Sequence, residues 1–184
     1  MSAICLIIPE NNSLSVIHTY NWHMFNLLAE NLNFGEGPRW HNDKLWFSDF
    51  YQHAVLTVDL NGNIEKIVDI PNQPSGLGWL PNGDLLIVSM LDRKIMKYSN
   101  NVLTLHSDLS ELTPFRCNDM VVDRDGHAYV GNFGSLHHAK DVKPTCLIHI
   151  DPDGNANIAA RKLEFPNGTV ITPDGKKMII GETY

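Results

Sequence analysis

Four short stretches decide how this chain reads: Asn42-Asp43 before Leu45-Trp46-Phe47, Asn82-Gly83 before Leu85-Leu86-Ile87-Val88, Asp125-Gly126 before Ala128-Tyr129-Val130, and Asp174-Gly175 before Met178-Ile179-Ile180. Each joins a dipeptide that accepts positive φ to a short apolar run, the combination a tight hairpin leading into a buried strand requires. The dipeptides begin at 42, 82, 125 and 174, so they recur at spacings of 40, 43 and 49 residues. That is the period of a four-stranded unit repeated along the chain.

Working outward, each full repeat carries a second strand pair with its own turn. Val55 to Leu60 and Ile64 to Val68 flank Asn61-Gly62; Ile95 to Tyr98 and Val102 to Leu105 flank Ser99-Asn100-Asn101; Leu147 to Ile150 and Asn157 to Ala160 flank Asp153-Gly154. No helical period lies between them. The sequence therefore predicts an all-β chain of antiparallel, four-stranded propeller blades packed face to face around an axis. Three blades are expected over residues 33 to 161, and the inner hairpin of a fourth over 167 to 184. The third repeat is lengthened by Phe133 to Pro144, a polar loop holding His137 and His138. It reads as a solvated excursion or as a lid whose histidines touch a ligand.

Composition narrows the function classes. The 184 residues carry 14 Lys+Arg against 21 Asp+Glu, a formal net charge of -7, and 43% hydrophobic residues, as expected of a globular domain. An acidic balance without basic runs points away from a nucleic-acid partner. The longest early apolar stretch, Ala3 to Ile8, is far shorter than a bilayer span and has no basic residues before it, so neither a membrane segment nor a signal peptide is expected. Cys5, Cys117 and Cys146 are odd in number and form no C-x-x-C pair, which leaves a reducing cytoplasm as the expected location.

Aligned on their turns, the repeats read Glu36-Gly37-Pro38-Arg39-Trp40, Ser75-Gly76-Leu77-Gly78-Trp79, Asn118-Asp119-Met120-Val121-Val122 and Asn167-Gly168-Thr169-Val170-Ile171. Glu36, Ser75, Asn118 and Asn167 are thus equivalent. Each begins the innermost strand of its repeat, so pseudo-rotation brings four oxygen-bearing side chains to one mouth of the channel. A carboxylate with amide carbonyls suits a hard cation such as calcium or magnesium, with zinc on oxygen ligands as an alternative. The competing reading is local: Asn and Ser before Gly also bond their own backbone in turns. Arg116 reaches the same mouth if Phe115-Arg116-Cys117-Asn118 alternates as a strand, and is otherwise a surface ion-pair partner. Cys117 then points the other way, into the core.

Three ordered motifs carry a resemblance: Gly35-Glu36-Gly37-Pro38-Arg39-Trp40, Arg116-Cys117-Asn118-Asp119, and Phe165-Pro166-Asn167-Gly168-Thr169-Val170-Ile171-Thr172-Pro173-Asp174-Gly175. Over about residues 24 to 184 the chain resembles the regucalcin/gluconolactonase family of six-bladed propellers, leaving residues 1 to 23 as an irregular N-terminal extension. The resemblance implies divalent-metal-dependent hydrolysis of a sugar lactone or related ester. It implies Glu36 and Asn167 as metal ligands, Arg116 and Asn118 as substrate contacts, and calcium ahead of zinc, magnesium or manganese as the cation. It also implies a further metal-binding aspartate, the water-activating base, from a later blade beyond Tyr184. A six-bladed ring at this period takes roughly 260 to 290 residues. About three and a half blades are therefore expected here, with lactonase activity impaired and self-association possible through uncovered blade faces. The rival class is a non-catalytic propeller fragment or binding module.

Overall fold

The computed structural model describes residues 2–7, 25–136 and 142–184, and they contain sixteen strands and no helix. Strand β1 (Ser2–Ile7) pairs antiparallel with β2 (Phe25–Leu32). An irregular extension is therefore not what residues 2–7 adopt; the apolar run there finds a strand partner. The first blade runs β3 (Gly35–His41), β4 (Lys44–Asp49), β5 (Ala54–Val58) and β6 (Ile64–Asp69), side by side in chain order. The second is β7 (Pro74–Trp79), β8 (Leu85–Ser89), β9 (Lys94–Ser99) and β10 (Val102–Asp108). The third is β11 (Cys117–Val122), β12 (Ala128–Asn132), β13 (Thr145–Ile150) and β14 (Ala156–Leu163), and β15 (Pro166–Ile171) with β16 (Met178–Glu182) opens a fourth. Three four-stranded blades and the inner hairpin of another follow the expected plan.

The turns differ in detail from the two-residue hairpins that the sequence predicts. Asn42-Asp43 and Asn100-Asn101 are two-residue loops with both residues at positive φ, 48° and 57° in one, 49° and 63° in the other. The Gly-containing turns are longer. At Leu80-Pro81-Asn82-Gly83 the Gly83 N–H donates to the Leu80 carbonyl and the Leu80 N–H to the Asp84 carbonyl, with Gly83 at φ 90°. Only the last residue of the loop is left-handed, which is the three-residue hairpin with a glycine bulge. Asp59, Asp123 and Asp151 open the same kind of loop and fasten it: Asp151 Oδ1 accepts the N–H groups of Asp153 at 3.0 Å and Asn155 at 2.8 Å.

Middle strands carry unbroken apolar runs because a blade is covered on both faces. Leu85 to Ser89 of β8 are all buried, whereas β14, the outermost strand, alternates between exposed and partly buried residues. Between blades two and three, Leu86, Val88, Ile95, Met120, Val130 and Ile148 are wholly removed from water. Each such side chain stabilises the stack by about 1.5–3 kcal/mol. Cys117 belongs to this core, as its expected orientation requires. Burial, then the neighbouring Cys146, pushes its thiol up to about 12. Native chain treated with a thiol reagent at pH 8 should leave the Cys117 peptide unlabelled, with full labelling on denaturation; mass spectrometric mapping of modified cysteines checks this.

Asp49, at the end of β4, is completely buried. Its oxygens accept the N–H groups of Asn33 (2.8 Å), Phe34 (3.1 Å), Tyr51 (3.2 Å) and Gln52 (3.1 Å), and the Gln52 side-chain amide (2.9 Å). One carboxylate thereby ties the entry to the first blade to the loop that follows β4.

Candidate functional site

In every blade the pairing of the innermost strand with its neighbour slips near the start of that strand, one residue later in the first blade than in the others. From Pro74 to Leu77 is three residues on β7, yet their partners Ser89 and Ile87 are two apart on β8. The same three-against-two count holds between Cys117 and Met120, between Pro166 and Thr169, and between Glu36 and Arg39. These are β-bulges, which twist a strand and re-aim a side chain out of the regular ladder. The side chains at or beside them are Glu36, Ser75, Asn118 and Asn167. Pro38, Pro74 and Pro166 fit these strands because an innermost strand is an edge strand, where a missing N–H costs no ladder bond.

Glycine lets the bulged strands converge. A Cβ at Gly76 would lie 2.3 Å from the Met120 backbone nitrogen, and one at Gly37, where φ is 57°, would lie 2.9 Å from the Ser75 carbonyl oxygen. With strands that close, three equivalent side chains join hands across three blades. The Ser75 hydroxyl donates to Asn118 Oδ1 (3.4 Å), Asn118 Nδ2 to Asn167 Oδ1 (2.9 Å), and Asn167 Nδ2 to Thr183 Oγ1 (3.2 Å). Ser75 and Asn118 are buried and Asn167 is half-buried. The reading in which these residues serve only their own turns does not describe them, since their partners lie 43 and 49 residues away.

Glu36 enters this group through charge. Burial pushes its carboxyl up, the Gly37 N–H opposes that, and the charge of Asp119, next to Asn118, raises it further. Asp119 itself is held by Arg39, whose guanidinium donates to its Oδ1 at 2.9 Å and to the Met120 carbonyl at 2.7 Å. Arg116 lies just before β11, half-buried, with its carbonyl accepting the Phe133 N–H. His137 and His138 fall outside the described residues.

The donors suit a hard cation: one desolvated carboxylate at Glu36, and at Asn167 an amide oxygen with a lone pair left after accepting from Asn118. Among the described residues no three His, Cys, Asp or Glu side chains gather in a metal-binding cluster.

Repeat alignment also contains a signal that the sequence reading did not use. The residue before each of Glu36, Ser75, Asn118 and Asn167 pairs with Asp49, Ser89, Asn132 or Glu182, all polar. Each turns back to hold the following or facing segment. The Ser89 hydroxyl donates to Asp92 at 2.6 Å; Asn132 donates to the Cys146 carbonyl at 2.8 Å and accepts from the Thr145 hydroxyl; Glu182 accepts the Glu164 N–H. A second polar ring thus braces the first.

Blades of four antiparallel strands, side by side in chain order and meeting along bulged inner strands, make this a β-propeller protein. The SMP-30/gluconolactonase/LRE-like family profile matches residues 34–184, and the chain belongs to that family. Solved structures of similar fold include a gluconolactonase from Xanthomonas campestris, 21% identical, with TM-score 0.72 over 85% of this chain and 57% of that one. A calcium-binding protein, regucalcin, from Agrobacterium tumefaciens is 22% identical, with TM-score 0.67 over 83% of this chain and 51% of its own. The nidogen/laminin complex also matches, at 13% identity and TM-score 0.70, over 89% of this chain and 63% of that one. The chain therefore spans less than two thirds of the length of each of these proteins.

Proposed function

We propose that this chain contributes the metal-holding and substrate-orienting side of a divalent-cation-dependent sugar lactonase. The observation that carries the reading is the bulge repeated in each blade, with Asn118 bonded to Asn167 and to Ser75 at one end of the axis. Family membership and a gluconolactonase of similar fold support it; regucalcin's calcium binding supports calcium first among the cations. Bound there, a divalent cation supplies Lewis-acid polarisation of the lactone carbonyl. Glu36 brings the negative charge and Asn167 the neutral oxygen that hold it. Asn118 fixes the Asn167 amide so that its oxygen keeps one orientation. Arg116 and Asn118 orient the sugar hydroxyls beside it, which lowers the entropy cost of reaching attack geometry.

With one carboxylate in the set, the cation is only partly neutralised. The 184-residue chain by itself is therefore a weak lactonase. Gluconolactone hydrolysis should be assayed with calcium, zinc or manganese, beside Glu36→Ala. A metal-dependent rate is expected close to background, and Glu36→Ala should weaken cation binding by about 10- to 100-fold. Because Glu36 must be ionised to hold the cation and its carboxyl lies above the usual range, binding should fade as pH drops, earlier than for an ordinary carboxylate. Equal cation affinity in the variant and the parent chain would exclude Glu36 as a ligand.

A further inference from the structure

At the end of the blades opposite the bulges lies a cleft of about 550 Å3 between blades one and two. His41, Trp46, Trp79 and Tyr98 form its aromatic wall. His41 stacks on Trp79 with centroids 4.0 Å apart and planes 13° apart, and Trp46 meets Trp79 edge-on at 5.5 Å. His41 is five residues along the strand from Glu36, roughly 16 Å at strand rise, so the cleft is separate from the bulged mouth.

Comparison with the next blade interface shows what is special. Counting from the equivalent residues Glu36, Ser75 and Asn118, His41 corresponds to Leu80 and Trp79 to Val122. Cross-strand pairing extends the correspondence: Arg39 faces Trp46 as Gly78 faces Leu86, and Leu85 faces Tyr98 as Ala128 faces Ile150. Between blades two and three, Leu80, Leu86 and Ile150 pack into the core with exposures of 8%, 0% and 0%, and Val122 packs against them. Between blades one and two, all four aromatic residues remain partly exposed. Where the repeat seals itself with aliphatic side chains, this interface keeps flat rings and an opening.

We infer that this cleft is a binding site for a neutral saccharide, of the size of one or two pyranose rings. The volume falls in the range of small-molecule sites. Asn82, Asp84, Asn100 and Asn101 also line the cleft and offer donors and acceptors suited to hydroxyl groups. They are held before any ligand arrives. Asn82 Nδ2 donates to Asp84 at 3.0 Å and Asn82 Oδ1 accepts the Asp84 N–H at 3.1 Å, while the Tyr98 hydroxyl bonds Asn101 at 3.2 Å. Such preorganisation reduces the ordering cost of binding. Among the described residues no Lys or Arg lines the cleft, which disfavours anions. A quaternary cation needs free ring faces around it, and Trp79 already has His41 on one face and the Trp46 edge against it. Apolar rings for the C–H faces of a sugar, with amides for its hydroxyls, match the remaining class.

The test titrates the purified chain with maltose, cellobiose and N,N'-diacetylchitobiose, and separately with tetramethylammonium, reading tryptophan fluorescence and saturation-transfer NMR. Saturable binding of at least one disaccharide is expected, about tenfold weaker in Asn82→Ala/Asn101→Ala and lost in His41→Leu/Trp46→Leu, which installs the aliphatic residues of the neighbouring interface and should fold. Glu36→Ala should bind sugar as the parent does, so failure here is distinguishable from failure of the lactonase reading. The inference is overturned if none of the three sugars binds, if both double variants bind unchanged, if Glu36→Ala abolishes binding, or if tetramethylammonium binds more tightly than every sugar.

Discussion

Alanine at Gly76 should destabilise the chain by about 3 kcal/mol or more, a large share of the margin that keeps a domain folded. The added Cβ would stand 2.3 Å from the Met120 nitrogen, 2.8 Å from the Asp119 carbonyl carbon and 2.8 Å from the Met120 Cβ. Two of these atoms are backbone, and they belong to the strand whose first residues carry Asn118. Relief therefore requires β7 and β11 to separate, which would pull Ser75 from Asn118 and open the core around Leu86 and Met120. Denaturant unfolding followed by circular dichroism measures the loss. As a control, Gly83→Ala meets no atom within 4 Å and suffers only its φ of 90°, so it should cost about 1 kcal/mol. Equal costs for the two would show that the inner strands do not approach as closely as described.

Replacing Asp49 with alanine should remove about 4 kcal/mol. Five N–H groups converge on a carboxylate that water does not reach. Deleting it leaves those donors partly unsatisfied in a buried place, where each orphan costs more than the bond itself contributed. The Asp49→Asn variant keeps one acceptor oxygen and should recover about half of the loss. Amide hydrogen exchange at Asn33, Phe34, Tyr51 and Gln52 gives an independent reading: exchange should quicken at these positions in Asp49→Ala beyond the global change. If exchange there stays as slow as in the parent chain, the carboxylate is not their acceptor.

The repeat was legible because hairpin chemistry is local: Asn, Asp and Gly announce positive φ wherever they stand. Blade number, blade limits and the equivalence of Glu36, Ser75, Asn118 and Asn167 all follow from it. Loop length was less legible, since Asn82-Gly83 looks like a two-residue turn until the Leu80 to Asp84 bonds are seen. The bulges left no mark of their own, because one extra residue in a strand changes pairing and not composition. Arg39 and Asp119 stand 80 residues apart, and only the approach of the first and third blades brings their charges to 2.9 Å. The aromatic cleft was hidden for a similar reason: Trp46, Trp79 and Tyr98 each look like ordinary strand residues. Their contrast with Leu86, Val122 and Ile150 appears only once cross-strand register is known.

A bulged residue has no private partner across the ladder. At Ser75-Gly76, Asn118-Asp119 and Asn167-Gly168 two residues face one, so the first side chain of each pair can change without disturbing a cross-strand neighbour. On the proposed function the blades and the mouth are therefore nearly separable properties: one layer of sequence builds the scaffold, and about one residue per blade would write what the scaffold recognises. Exchanging Ser75, Asn118 and Asn167 among themselves or for other short polar residues should alter ligand preference while unfolding midpoints move little, since each change is absorbed where the ladder is already interrupted. Such a division lets a propeller acquire new chemistry by single substitutions, without first repairing the fold.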